Sequence, residues 1–440
     1  MQITPASLSA KRGRKATEPP RMTCSIMITR ALAIVTAAAV AWGCATLMAA
    51  TPTDMQGMVS LDPGGIARQG AIATLALKPG EIGVNALQMP DGTLIPLQAE
   101  AGDTQARFIL PTLAPRQQVV ARLIRHPGTF TNALQFSKQS QGKALSIVAT
   151  DSGGAECLGY PLDPKALPRP GIDPVYGRAG YLHPLVTPSG AVVTDDYPAN
   201  HLHHHGFWMA WRETRFQGRK PNFWEMGAKS GTVEILDSPT PIEGPTWTGF
   251  RTRHRYRDLS VTPPVDALYE RWEVRVYSPT PGLPQARIVD VDCLQEAALA
   301  EGLELPKYLY GGMAIRGRGE WNGAANALVL TSEGVTNRVT ANSTTNRWCY
   351  LGGIVNSKIA GVVVLSHPAN FRSPQPVRVH PEEPYFSFAA CHLEGFSIRP
   401  GQPFRVSYRL LLLDGPPDRD WIEARWRDYA QPVLIHRVMP

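Results

Sequence analysis

Turn-forming residues occur throughout the chain, and this feature constrains the fold most. The 440 residues include 39 glycines and 40 prolines, which shape tight turns and interrupt regular structure. This density favours many short strands joined by turns over long helices. Because 43% of the residues are hydrophobic, the chain has enough apolar material for packed cores and is not expected to be disordered.

Alternation of apolar and polar residues predicts antiparallel strands. Trp272, Val274 and Val276 fall on one face of an extended segment, while Arg271 and Glu273 fall on the other, as in a strand with one buried side. Only residues 418–430 have helical spacing, with an acidic start and apolar residues at i, i+4 and i+7. The chain is therefore predicted to be all-β, with a large two-sheet sandwich and a C-terminal helix.

Composition divides the chain into four predicted parts. Residues 1–50 are interpreted as a signal peptide with a basic lead-in. Strand patterns punctuated by turns predict a small β-sandwich accessory domain over 51–165, followed by a proline-rich linker, 166–175. Residues 176–440 would form the large domain.

The first fifty residues have the order of an export signal. A basic stretch precedes the apolar run 31–40, and small residues follow up to Ala50. The apolar run is shorter than the roughly 20 residues of a spanning helix. We expect a periplasmic or extracellular protein without a membrane span. Translation could start at Met22 or Met27, and a lipid anchor at Cys44 is the alternative to soluble export.

The net charge limits which classes of partner are expected, and the cysteines limit which disulfides could form. The formal net charge of +7 lies mainly in the leader, where Glu18 is the only acidic residue, so the nearly neutral remainder argues against a nucleic-acid partner. Four cysteines follow the leader. In an oxidising compartment they could form disulfides with three connectivities, and buried free thiols are the alternative. These residues are Cys157, Cys293, Cys349 and Cys391.

The strongest functional signal is the segment Asn200–Trp211, which contains His201, His203, His204 and His205. Imidazole suits proton transfer because its unperturbed pKa is about 6.5. If the segment is extended, His201, His203 and His205 share one face and could bind a transition metal. The alternative is a polar loop whose imidazoles bond to backbone and water.

Other segments offer side chains that could complete a cleft at one end of the sandwich. Tryptophan beside histidine and carboxylate suits a pyranose, because an aromatic face packs on the ring while polar groups bond to hydroxyls. The candidates are His183, Trp208, Trp224, Arg316, Glu320, His367, Asn370, Arg372 and Glu383.

At these residues the chain resembles the bacterial family labelled methane oxygenase PmoA. The resemblance covers 175–430, although Leu202 replaces a usual proline and His205 stands where arginine is as frequent. It implies a β-supersandwich similar to the galactose mutarotase-like fold, in exported proteins that often accompany sugar oxidoreductases and glycan-degradation proteins. The matching motifs are Tyr181–Leu185, Thr187–Gly190, His201 with His203, His204 and Gly206, Phe223-Trp224, Gly311-Gly312 with Arg316, His367 with Asn370 and Arg372, Pro384–Phe386, Pro400-Gly401, Tyr408-Arg409, and Asp414-Gly415.

The leading hypothesis is an exported carbohydrate-active enzyme that moves protons on a sugar by epimerase, lyase or hydrolase chemistry and requires no cofactor. His203 and His204 would be the acid and base, with Glu320 or Glu383 as the partner carboxylate. Fold analogy alone does not fix the reaction. The substrate-binding residues would be His183, His201, Trp208, Trp224, Arg316, His367, Asn370 and Arg372.

Two alternatives belong to other functional classes. One is a metal-dependent oxidoreductase, as the family label suggests, with a divalent or transition metal on His201, His203 and His205. The other is a non-catalytic glycan-binding protein. Metal analysis distinguishes the metal-dependent oxidoreductase from the other two hypotheses. Turnover on an oligosaccharide panel distinguishes a carbohydrate-active enzyme from a glycan-binding protein.

Overall fold

Antiparallel strands make up most of the molecule, so the predicted all-β fold class is confirmed. The computed structural model describes residues 57–100, 102–137, 143–150 and 153–438. Within these ranges the chain forms 26 strands and two α-helices. The predicted signal peptide, the alternative starts and Cys44 lie outside the described residues.

The strands and helices are named in chain order. The first are β1 (Met58–Asp62), β2 (Ile72–Ala76), β3 (Ala86–Gln88), β4 (Leu94–Pro96), β5 (Gln105–Ile109), β6 (Val119–Ile124), β7 (Leu134–Phe136), β8 (Ala144–Ala149) and β9 (Ala155–Pro161). Next come β10 (Tyr181–Leu182), β11 (Phe207–Ala210), β12 (Gly231–Ile235), β13 (Thr240–Ile242), β14 (Trp247–Asp258), β15 (Val265–Tyr277), β16 (Ala286–Ala297), β17 (Leu303–Leu305) and β18 (Gly312–Arg316). The last are β19 (Leu328–Thr331), α1 (Arg338–Ala341), β20 (Trp348–Val355), β21 (Lys358–Ser366), β22 (Val377–Val379), β23 (Tyr385–Ala389), β24 (Phe396–Ile398), β25 (Phe404–Asp414), α2 (Arg419–Ala430) and β26 (Leu434–Arg437).

The largest sheet contains the long strands of the C-terminal part. Its order is β12-β14-β15-β16-β25-β21-β20-β19, and β13 pairs with β14 at one side. The predicted alternation holds in β15, where Trp272, Val274 and Val276 are buried and Arg271 is exposed. One face of this sheet is therefore apolar and must be covered by another layer.

A second sheet, of order β10-β11-β18-β23-β22, covers that face. Phe207 of β11 and Ile315 of β18 enter the same buried cluster as Trp272 and Val291 of the large sheet. The rings of Phe207 and Trp272 meet at 5.9 Å in an edge-to-face arrangement, which is a favourable aromatic geometry. The two sheets thus form a β-sandwich, and the short strand β11 continues directly from the histidine segment.

The N-terminal strands contribute to two cores. A sheet of order β26-β1-β6-β3-β4 and the pair β2-β5 surround a smaller core that includes Val59 and Phe108. Strands β7, β8 and β9 instead place Leu134, Ile147 and Tyr160 in the large core. The boundaries predicted at 51–165, 166–175 and 176–440 stay a prediction about folding units.

The C-terminal helix α2 forms where the sequence predicts it. The Asp418 carboxylate accepts a hydrogen bond from Trp421 N at 3.0 Å, which caps the first turn. Ile422 is buried against the outer face of the large sheet, beside Trp348 and Leu411. In the described part of the chain, no helix is long and apolar enough to cross a membrane.

The four cysteines after the leader are buried. For Cys293, Cys349 and Cys391 the structure has free thiols, the second of the two alternatives that the sequence allowed. Burial raises the pKa of Cys293, Cys349 and Cys391. These thiols are therefore poor nucleophiles, and they contribute as small apolar side chains.

Candidate functional site

The histidines of the segment Asn200–Trp211 lie in a loop that leads into β11. Of the two alternatives that the sequence left open, the extended strand with alternating faces is therefore wrong for them. His201 N donates to the Pro198 carbonyl at 2.9 Å, and His204 N donates to the His201 carbonyl at 2.8 Å. These turn hydrogen bonds bring His201, His203 and His204 together. His205, predicted on the same face as His201 and His203, instead points into the core and is 0% exposed.

Gly206 allows this loop to pass close to its neighbours. A Cβ at this position would lie 2.1 Å from the Leu182 carbonyl oxygen, so any larger residue would displace the strand beside it. The Gly206 carbonyl accepts a hydrogen bond from Arg316 N at 2.8 Å. The loop is therefore held between β10 and the end of β18, beside the Arg316 side chain.

Three imidazoles form a compact group, called here the histidine cluster: His201, His203 and His204. The rings of His201 and His204 are stacked with centroids 4.7 Å apart, and His203 meets His204 edge-on at 4.7 Å. Tyr385 stacks on the other side of His204 at 5.0 Å. His204 is thus enclosed between two rings, whereas His201 and His203 are partly exposed.

The predicted partner Glu383 lies beside the histidine cluster. Its carboxylate is 2.6 Å from Arg316 Nη1, accepts two hydrogen bonds of 2.8 Å from Asn200 Nδ2, and lies 3.8 Å from His201 Nδ1. Arg316 is 0% exposed, and its other terminal nitrogen donates to Asn322 Oδ1 at 2.8 Å. The guanidinium predicted to bind substrate is thus already bound by the protein.

This arrangement keeps Glu383 ionised. Burial acts to raise the pKa of Glu383, but the hydrogen bond and charge of Arg316, together with Asn200, outweigh it, so the pKa lies below its ordinary value. Burial also lowers the pKa of Arg316, but a guanidinium starts so high that it stays charged. The pair is therefore a fixed dipole beside the imidazoles.

The imidazoles themselves are neutral at neutral pH. Burial, helped by the neighbouring rings, lowers the pKa of His203 to about 3 and that of His204 well below its ordinary value. Burial also lowers the pKa of His201, although the charge of Glu383 opposes it. A neutral imidazole offers one donor and one acceptor nitrogen.

The contact with Arg316 indicates the tautomer of His204. Arg316 Nη1 approaches His204 Nδ1 at 3.4 Å, a long hydrogen bond in which only the guanidinium can donate. His204 Nδ1 therefore accepts, and Nε2 carries the proton. Neither nitrogen of His203 has a hydrogen-bond partner among the residues that the structure describes.

A buried layer lies behind the histidine cluster. His205 Nδ1 is 2.6 Å from Asp196 Oδ1, and the other oxygen of Asp196 accepts from the Tyr181 hydroxyl at 3.1 Å. Burial raises the pKa of Asp196 to about 6. The predicted site residue His183 belongs to this layer: its Nδ1 bonds to Thr194 Oγ1 at 3.0 Å, and burial lowers its pKa.

Trp208 and Trp224 were expected to present open faces to a sugar, and the structure corrects this. They are 0% and 1% exposed, with ring centroids 5.2 Å apart. Trp208 is covered by the aromatic residues packed around it, which include Trp224 and Tyr385, and its ring lies 5.5 Å from the His204 ring. The two indoles are the floor beneath the imidazoles rather than a stacking surface.

His367 and Asn370 were expected in the same cleft, but their contacts lie elsewhere. Asn370 Nδ2 donates to the Ser407 carbonyl at 2.9 Å, and its Oδ1 accepts from Ser407 N at 2.7 Å. The His367 ring packs edge-on against Tyr429 of α2 at 5.0 Å. These side chains join the loop after β21 to β25 and α2, and in the described ranges no hydrogen bond or ring contact links them to the histidine cluster.

Arg372 and Glu320 are also engaged away from the imidazoles. Arg372 donates to carbonyls of the loop 390–395, including Ala390 O at 2.9 Å. The Glu320 carboxylate accepts from Arg318 Nε at 3.0 Å, and its side chain is 64% exposed. Of the two predicted carboxylates, Glu383 is therefore the one beside the histidines.

The three predicted metal ligands are not grouped around one point. His205 is turned into the core, where its Nδ1 bonds to Asp196, while His201 and His203 lie together in the histidine cluster. Among the described residues, no group of three or more His, Cys, Asp or Glu side chains is arranged to hold an ion. The donor geometry thus gives the metal alternative no support.

The family comparison covers the site. A family of unknown function, DUF6807, matches residues 148–427. The chain belongs to this family. The matched range contains the histidine cluster, Arg316 and Glu383, whereas β1–β7 precede it. A search of curated proteins found no match.

Several residues around the DUF6807 site were missed in the sequence. Arg212 lies 3.6 Å from Glu225, and the two side chains are 30% and 44% exposed. After burial and the neighbouring imidazoles, the charge of Arg212 is a further cause of the lowered pKa of His203. Tyr310 packs on Trp224 at 4.8 Å and is partly exposed. The alternating Tyr308-Leu-Tyr310 before Gly311 was a usable signal, and Glu225 is marked as the acid that directly follows Trp224, whereas nothing local marked Arg212.

Proposed function

We propose that this DUF6807 protein binds a sugar at the histidine cluster and that His203 exchanges a proton with it. The observation that carries the proposal is the state of His203: a partly exposed, neutral imidazole whose nitrogens the described residues leave unbound. Such a ring is free to form a hydrogen bond to a substrate, and its neighbour His201 lies beside the ionised carboxylate of Glu383.

His203 and His204 have different parts in this proposal. His204 carries its proton on Nε2 and can donate to a sugar oxygen, while neutral His203 can accept a proton from a hydroxyl or an acidic C–H. A pKa of about 3 makes His203 a weak base in the free protein. Negative charge that develops on the substrate raises this pKa towards neutrality, which favours the transfer in the transition state.

Glu383 acts as a fixed counter-charge. The Glu383 carboxylate lies 3.8 Å from His201 Nδ1, and the His201 ring in turn contacts the His203 ring, so its negative charge acts on the histidine cluster through His201. An ionised group held by Arg316 and Asn200 needs no reorganisation during the reaction, and such preorganised charges are effective in catalysis. The chemistry proposed is therefore acid–base chemistry without a cofactor, as in an epimerase, lyase or hydrolase.

The sugar is proposed from the chemistry of the rim and from the resemblance. Asn200, Glu225 and Arg212 offer donors and acceptors for hydroxyls, and the partly exposed Tyr310 offers an apolar edge. The PmoA-labelled family resembled by the sequence accompanies sugar enzymes, and the leader suits export. We accordingly propose an exported protein acting in the periplasm or outside the cell.

The test is a panel of neutral oligosaccharides assayed for both binding and turnover. His203→Ala should lower turnover by about 100-fold or more if the imidazole transfers a proton, while the melting temperature changes little because the ring is at the surface of the cluster. The matched control is His436→Ala, at an exposed position on β26, which should leave both unchanged.

The outcomes separate the alternatives. Binding without turnover across the panel would favour a glycan-binding protein. Activity that disappears after chelation and returns with a transition metal would favour the oxidoreductase. A His203→Ala protein that unfolds would make this residue structural and would contradict the proposal.

A further inference from the structure

A separate cavity opens near the start of β25. It has a volume of about 340 Å³ and is lined by Phe371, Phe396, Ser397, Ile398, Arg399, Gln402, Pro403 and Phe404. Pockets that bind small molecules have volumes of roughly 300 Å³ or more. This cavity is therefore large enough for one sugar ring or a molecule of similar size. None of its lining residues belongs to the histidine cluster.

The floor of the cavity is aromatic. The Phe371 and Phe396 rings lie 4.7 Å apart, and the Phe396 and Phe404 rings lie 5.5 Å apart and nearly parallel. Arg372 covers one side of this group, 4.9 Å above the Phe371 ring. Phe371 nevertheless stays 37% exposed, so part of its side chain is accessible to a ligand in the cavity.

The rim carries a single charge. Arg399 is the only charged residue among those lining the cavity, and Gln402 and Ser397 are its polar neighbours. Within the described residues, none of these three side chains makes a hydrogen bond or an ion pair. Arg399 therefore differs from Arg372 and Arg316, both of which are bound by the protein.

We infer that this cavity binds a small ring-shaped carboxylate and that the ligand is a uronic acid. The flat face of the ring packs on Phe371, and the carboxylate accepts hydrogen bonds from Arg399, whose planar fork matches a carboxylate. Gln402 and Ser397 bond to hydroxyls. The inference depends on this lining alone and not on the reaction proposed for His203.

The experiment measures binding of glucuronate, glucose and 4-hydroxybenzoate to the full-length protein by calorimetry or NMR. Glucuronate should bind, and glucose should bind about tenfold or more weakly, because it lacks the charge-assisted hydrogen bonds. Arg399→Gln should remove this preference, and Phe371→Ala should weaken both sugars. The matched control is Arg405→Gln, an exposed arginine outside the cavity.

Three results would overturn the inference. Equal affinity for glucuronate and glucose, or unchanged glucuronate binding in Arg399→Gln, would exclude recognition by Arg399. Binding of 4-hydroxybenzoate without glucuronate would show an aromatic acid site instead. If His203→Ala abolishes glucuronate binding and Arg399→Gln preserves it, then glucuronate binds at the histidine cluster. In that case this inference fails, and the proposed function stands.

Discussion

At the scale of single residues, the histidines couple stability to pH. Burial lowers the pKa of His203 to about 3, whereas the unfolded value is about 6.5. Between these values the unfolded chain binds more protons than the folded chain, so the free energy of unfolding falls as pH falls from about 6.5. Asp196, with a pKa raised to about 6, acts in the opposite direction below that pH.

We predict that His203→Gln flattens this dependence. Between pH 7 and pH 5 the wild-type protein should lose about 2 kcal/mol more than the variant, from the His203 shift alone. Urea unfolding at both pH values measures the difference, with the exposed His436→Gln as control. Equal slopes for variant and wild type would mean that His203 titrates in the folded chain as it does in the unfolded one.

The sequence predicted the role of some site residues and not of others, and the difference lies in the contacts that each residue makes. Residue types led the sequence analysis to group His203 and His204 with Glu320 or Glu383, because such side chains are costly to bury without partners, but residue types could not choose between the two carboxylates. Trp208 was assigned wrongly as an open face, since an indole suits a core as well as a cleft. Asn370 and Arg372 bond to backbone groups far along the chain, and no local pattern reveals such contacts.

At the scale of elements, α1 holds the loop that carries Glu383. Arg338 Nε donates to the His380 carbonyl at 2.9 Å and Nη1 donates to Gly323 O at 3.1 Å, while Nη2 donates to the Glu383 carbonyl. His380 Nδ1 accepts from Glu383 N at 2.9 Å. One buried guanidinium thus fixes two loops beside the site.

Arg338→Met should release this loop. We expect about tenfold or faster amide exchange at Glu383 and a loss of about 1–3 kcal/mol in the free energy of unfolding, because three carbonyls lose a buried donor. Hydrogen exchange monitored by NMR measures both local and global effects. Arg271→Met, in an exposed pair with Glu296, is the control. Exchange at Glu383 that matches the control would show that the loop is held by other contacts.

Strands and loops were not equally predictable. In β15 the alternation of side chains determines which face is buried, so the sequence was sufficient to predict the strand. For the histidine loop the sequence left an extended strand and a polar loop open, because its residue types do not distinguish a strand from a turn. Its path depends on Gly206, where the Leu182 carbonyl leaves no room for a Cβ, and on Arg316, which lies 110 residues further along the chain.

At the scale of the whole molecule, the ends of the described chain meet in one sheet. The last strand, β26, pairs with β1 in the register Val59 to Arg437, and Val433 enters the small core. The Gln98 amide adds a second link, because its Oε1 accepts from Thr246 N and Trp247 N at 3.0 and 2.9 Å. The small core therefore depends on residues from the far end of the sequence.

Because β26 pairs with β1, removal of β26 should destabilise the small core. A chain that ends after Gln431 loses β26 and the buried Val433, so the small core should lose about 2 kcal/mol or more, and the amides of β1 should exchange faster because one edge is unpaired. A chain that ends after Val438 is the control. The ring contacts of His203 and His204 should persist in both, since the large core supports them. If β1 stays as protected in the shorter chain as in the control, then β6 alone stabilises β1, and the C-terminal strand is an accessory to the fold.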